Sequence, residues 1–220
     1  MDRDFTPKMT EEVYNPDNLI AEPKTRDVPG ILESGQDLEG GALLGAKTVD
    51  DQNVTIAAAG GNTGDGALSN QAVGAKAIAG TYVFECTTVA ANGGVFSVTN
   101  PDGKQLSPLF VGVLYQEPEI EAQIDDGGTD WALGDTVNVT VPAGDGKLKL
   151  SLAAALDGSQ KPTGILTEDV DASAADKPCS QYVEGVFNER DVQFGTGHTA
   201  ASVKAQLQAQ NLYLKDSVNN

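Results

Sequence analysis

Residues 147 to 194 read KLKLSLAAALDGSQKPTGILTEDVDASAADKPCSQYVEGVFNERDVQF, and this stretch decides the fold class. A short apolar run meets the Asp157-Gly158 turn. The segment Pro162-Thr163-Gly164-Ile165-Leu166 follows, an acidic Ala/Ser/Asp stretch interrupts, and Tyr182-Val183-Glu184-Gly185-Val186-Phe187 resumes the apolar pattern. Segments of strand length joined by Gly and Asp turns point to β structure. They bring no nucleophile, base or metal-ligand spacing with them, so the stretch reads as architecture.

Downstream, Thr199 is placed to cap a helix through AASVKAQLQAQ, residues 200–210, with Val203 and Leu207 four apart on one face. Asn211 ends it, and Leu212-Tyr213-Leu214 returns as a strand. Packing on the sheet explains this helix better than docking in a partner.

Upstream, residues 67–141 form a second β pattern. Strands are expected at 81–87 and 95–99 around the Asn92-Gly93-Gly94 turn, at 109–115, at 120–124, and at 136–141, where alternation puts Val137, Val139 and Val141 on one face. Gly60-Gly61-Asn62-Thr63-Gly64-Asp65-Gly66 reads as a flexible linker; it lacks the Lys and Ser/Thr of a phosphate-binding loop. Residues 30–47, with paired apolar residues between glycines, open the compact part. Residues 1–29 carry Pro7, Pro16, Pro23 and Pro29 with neither helical nor strand period and read as an extended arm, in which Val13, Tyr14, Asn15, Leu19 and Ile20 are candidate anchors for a partner.

The 220 residues, 40% hydrophobic, suffice for a core, but one Trp, five Tyr and six Phe against 25 Gly imply layers of small side chains that oligomerisation would reinforce. With 32 acids and 14 bases the net charge is −18, which opposes binding to a phosphate backbone and excludes nucleic acid as a partner. Residues 58–141 hold 10 acids and 2 bases, residues 142–220 hold 10 and 7. The middle segment is thus the more solvent-facing, and the last segment the better able to approach protein. No window approaches the roughly 18 apolar residues of a membrane span, and no apolar leader is seen. A soluble chain without membrane contact is expected.

Chemistry is sparse. The lone histidine, His198, lies in a loop before the helix, and no G-x-S-x-G elbow accompanies it. Asp125, Asp126, Asp130 and Asp135 could form an acidic pair or a calcium site, yet the EF-hand spacing is missing; turn and surface roles are the better account. Cys86 and Cys179 lie far apart with no C-x-x-C or neighbouring His, so two reduced thiols are expected rather than a disulfide or zinc site. No catalytic residue, metal or cofactor is assigned.

The order of the opening stretch, a Gly164-Ile165-Leu166 strand, an acidic loop, and then the Y-x-x-G-x-F pattern of Tyr182, Gly185 and Phe187, resembles the head decoration proteins of tailed bacteriophages, the family of the phage lambda capsid-stabilising protein. Residues 29–47 share the resemblance more weakly. It implies a mainly β chain: an extended arm over 1–29, a small β-rich decoration domain of tulip or barrel-like form over 30–59 and 142–220 with one short C-terminal helix, and an inserted β-sandwich-like domain over 60–141. It further implies a virion structural protein, made in the host cytoplasm, that sits on the outer capsid surface as a homotrimer at local three-fold positions and stabilises the expanded, DNA-filled head. The major capsid protein would be its partner, met by the arm anchors, with Gly164, Ile165 and Leu166 at trimer or capsid contacts. Two other classes remain open. One is a carbohydrate- or host-surface-binding module using Tyr82, Tyr115 or Trp131 as an exposed platform; the other is a secreted polysaccharide-active enzyme.

Overall fold

The computed structural model describes residues 19–216. Its first strands are β1 (Ile20–Leu32), β2 (Asp37–Leu38), β3 (Leu43–Ala46) and β4 (Thr55–Ala58). Then come β5 (Leu68–Val73), β6 (Gly80–Ala90), β7 (Gly93–Thr99), β8 (Leu109–Phe110), β9 (Tyr115–Gln116), β10 (Ile120–Ile124) and β11 (Thr136–Val141). The last are β12 (Leu148–Leu150), β13 (Pro162–Leu166), β14 (Val170–Asp171), β15 (Lys177–Asn188) and β16 (Leu212–Lys215), with α1 (Ala200–Gln208) between β15 and β16. The chain is mainly β, with one short helix among the described residues.

Strands from both ends of the chain build a base. The pairings run β1–β12–β3–β13–β15 and return to β1, while β16 adds in parallel to β15. Successive strand residues face opposite sides, and β3 and β13 use both. Leu43 and Ile165 join Phe187, Leu212 and the helix residues Val203 and Leu207 in one core; Leu44 and Leu166 join Leu32, Leu148 and Cys179 in another. Thr199 caps the helix by accepting from Ser202 N–H, and Ser202 Oγ accepts from Thr199 N–H at 2.9 Å. Asn211, at φ 65°, turns the chain into β16.

The segment 20–29, read from sequence as part of an extended arm, is strand paired within the chain: β1 runs antiparallel to β15 from Ile20 opposite Phe187 to Leu32 opposite Lys177. Its register shifts between Glu22 and Arg26, and its other side is paired at Leu32 alone. Proline is tolerated on such an edge because no ladder bond is lost there.

The middle of the chain folds as two sheets, β4-β11-β6-β7-β8 and β5-β10-β9, packed over a shared core. Val137, Val139 and Val141 do face inward, against Tyr82, Phe84, Phe96 and Val98. The 109–115 segment is not one strand: Val113 N–H bonds to Phe110 and Gly112 stands at φ 76°, so a turn splits it into β8 and β9. Strand β4 pairs with β11 and thus with this sandwich, although the sequence places it with the base. The two chain crossings between base and sandwich lie side by side. Val49 bridges Ala143, Asp50 N–H bonds to Pro142, and Gly144 N–H bonds to Thr48. Gln160 of the base also donates to the Ala75 carbonyl at 2.7 Å.

Candidate functional site

Most polar side chains that the sequence offers for chemistry hold backbone instead. Asp135, 5% exposed, accepts N–H groups from Thr63 (2.9 Å), Gly64 (2.8 Å) and Ala132 (2.9 Å). Burial pushes its carboxyl up, but the Ala132, Gly64 and Thr63 donors outweigh that and leave the pKa lowered. Asp125 accepts from Ser69 Oγ and Gln123 Nε2, both at 2.6 Å, and Asp130 from Asn92 N–H at 2.8 Å. Asp126 keeps a buried Oδ1 without a partner. These four acids share the β10–β11 connection, but Asp125, Asp130 and Asp135 are each taken up by different partners, and no group of three or more His, Cys, Asp or Glu among the described residues could hold a metal.

The glycine run of residues 60–66 is not a free linker. A Cβ at Gly64 would come 2.8 Å from Trp131, and Asn62 is tied to Thr136 through both its amide atoms. The loop lies over the indole and needs glycine to approach it.

His198 has a partner that the sequence does not suggest. Its Nε2 lies 3.2 Å from Ser151 Oγ. Ser151 is fully buried and donates its only hydroxyl proton to the Ser159 carbonyl at 2.7 Å. The imidazole must then donate to Oγ, the reverse of what activates a serine nucleophile. The neighbouring Asp157, 5% exposed, accepts from Ser159 N–H (3.0 Å) and Lys149 Nζ (3.0 Å), and its carbonyl accepts from Thr48 and Val49 N–H. This network fastens the 157–159 loop to β12 through Lys149 and to the entry of the sandwich through Thr48 and Val49. Cys86 and Cys179 are buried free thiols, pushed up in pKa by burial.

The proposed aromatic platform is core. Trp131 is 2% exposed and packs edge-on to Phe96 at 5.2 Å, while Tyr115 does the same against Phe84 at 6.3 Å. Tyr82 is fully buried; burial, with Glu119 beside it, pushes its hydroxyl up to about 12. None of the three presents a face on which a sugar could stack.

Of the anchor residues, Val13, Tyr14 and Asn15 lie outside the described residues. Leu19 is buried in the core with Leu43 and Phe187, and Ile20 is partly exposed at the start of β1. Gly164, Ile165 and Leu166 are the buried end of strand β13, with Ile165 and Leu166 facing the two base cores. The structure brings Leu19 and Ile165 into one core rather than onto a common surface.

Exposed apolar residues occur elsewhere: Leu133, Val89, Phe110, Val113 and Leu114. An apolar residue at a Gly- and Asp-flanked turn, as in Ala132-Leu133-Gly134-Asp135, was the signal available in the sequence. Among the described residues no helix is long and apolar enough to cross a membrane.

Comparison with known proteins adds the family. A model described as bacteriophage lambda head decoration protein D matches residues 8–213. No curated protein matches. Two crystal structures of Xanthomonas campestris FlgL, in space groups H3 and C2, resemble the chain at 16% and 20% identity with TM-scores of 0.32 and 0.33. They cover 49% and 48% of this chain, which in turn spans 33% of theirs.

Proposed function

Because the chain belongs to the bacteriophage lambda head decoration protein D family, whose role is structural and on the phage capsid, we propose that it binds the outer surface of the expanded, DNA-filled head and stabilises it. It acts without catalysis, as a homotrimer at local three-fold positions, with the major capsid protein as partner. The observation that carries this reading is the extent of the match, residues 8–213, which takes in the base strands from both ends of the chain.

Many copies, each adding modest contacts across capsomer junctions, would sum against the outward pressure of packaged DNA. In this reading Val13, Tyr14, Asn15 and Ile20 meet the shell. Leu19 and the strand from Gly164 to Leu166 support that contact from the core. The base and the sandwich correspond to a decoration domain and an insertion running from about Val49 to Ala143, where the two crossings pair. Synthesis in the host cytoplasm fits two free buried thiols.

The test is co-sedimentation with expanded, undecorated capsids, comparing the full chain with one that begins at Leu19. Truncation at Gly30 would remove most of β1 and its pairing with β15, confounding lost contact with lost fold. Saturable binding by the full chain, weakened when residues 1–18 are removed, is the expected result. A full chain that stays in the supernatant at saturating capsid sinks the proposal.

A further inference from the structure

We infer that the end of the sandwich remote from the base is a docking surface for a basic, amphipathic segment of another protein. Strand β6 begins at Gly80, opposite Val141, where the chain turns back toward the base, and ends at Ala90 in the hairpin to β7. At about 3.3 Å per residue its far end stands roughly 30 Å from the junction. There Val89, Ala90, Ala91, Asp130, Trp131, Ala132 and Leu133 line an open concavity of about 570 Å³. Leu133 is 73% exposed and Val89 53%. Trp131 forms part of the lining, and its buried indole N–H has no hydrogen-bond partner. Exposed aliphatic side chains gathered at a concavity mark an interaction site more often than a neutral surface.

Charge identifies the occupant. Lys76 and Lys104 are the only bases between Lys47 and Lys147, and both lie at the junction end. Lys76 follows Ala75, which is bonded to Gln160 of the base, and Lys104 lies in the turn beside Pro101, against Gly80. At the remote end, Asp130 lines the concavity and Asp65 holds Thr129, while Glu85 is exposed midway along β6 opposite Thr136. An apolar floor framed by carboxylates alone complements an aliphatic side chain flanked by Lys or Arg. A second copy would bring like charge to like charge, and the aromatic residue in the concavity's lining, Trp131, is 2% exposed and offers a glycan no face on which to stack.

Trp131 is the only tryptophan and reports from the concavity itself. The full chain is titrated with three tryptophan-free synthetic peptides of equal length: Lys/Leu, Lys/Ser and Glu/Leu. The Lys/Leu peptide should shift the emission saturably and bind more weakly as salt rises. Leu133→Asp, a change at an exposed turn, should weaken it about tenfold or more, as loss of one buried leucine contact predicts. Val89→Asp should act in the same direction. No response, an equal response to Lys/Ser or Glu/Leu, or unchanged affinity in both variants would overturn the inference. So would concentration-dependent dimers abolished by L133D, which would make the occupant a second copy. Capsid co-sedimentation of L133D should match that of the unmodified chain, so failure here is separable from failure of the decoration role.

Discussion

Replacing Asp135 by alanine should loosen the remote end of the sandwich by a predictable amount. Its carboxylate is the partner of three backbone N–H groups, those of Thr63, Gly64 and Ala132, at 2.8–2.9 Å. A buried donor left unpaired costs about 1–3 kcal/mol. The loops are near enough to the surface for water to recover part of this, so the lower bound for each donor applies, giving about 3 kcal/mol in all. For a chain of this size about 2–4 °C is lost per kcal/mol, so the melting midpoint of the sandwich should fall by roughly 6–12 °C. Thermal unfolding followed by Trp131 fluorescence reads it directly, since the same loop covers that indole. Asp135→Asn keeps one acceptor oxygen and should lose less. The effect should depend on pH with a definite sign. Asp135 has a lowered pKa in the folded state, so its contribution is complete above the ordinary carboxylate value of 3.8 and is lost as pH falls through the lower folded value. The gap between variant and parent should therefore narrow in acid. An unchanged midpoint and unchanged emission for D135A at neutral pH would refute the assignment of this side chain as the loop's anchor.

Gly45→Ala would drive a Cβ into the Ser159 backbone and should cost about 3 kcal/mol in urea unfolding, whereas Gly60→Ala, with open space around it, should change stability by less than about 0.5 kcal/mol. Lys149→Met leaves the Asp157 carboxylate buried with less compensation and should destabilise the base by about 3 kcal/mol at neutral pH. Burial raises the pKa of Asp157, yet Ser159 and Lys149 leave it lowered, so the parent loses this stability only in acid. In K149M the loss should begin at a higher pH, and equal acid sensitivity of the two proteins would argue against the pairing. Acrylamide should quench Trp131 several-fold less than free tryptophan in the folded chain and equally in urea, because the indole is 2% exposed; quenching near the free value would restore the exposed-platform reading.

Local pattern in the sequence determined those features that depend on near neighbours along the chain. The alternation of Val137, Val139 and Val141, the hairpin around Asn92-Gly93, the Thr199 cap and the Val203/Leu207 face follow from the periods of strand and helix, and each stands in the structure as read. The order of segments from Gly164 to Phe187 carried the family. Tertiary structure alone decided what depends on distant partners. Strand β1 exists because β15 offers it a ladder, which its prolines and missing alternation conceal. Strand β4 belongs to the sandwich because β11 lies beside it. The glycines of residues 60–66 look like a linker until Trp131 arrives underneath, and Asp135 looks like one acid among many until three N–H groups converge on it. Periodicity states which face of a segment is buried; it does not name the segment that buries it, since that choice is made by contacts between residues far apart in sequence.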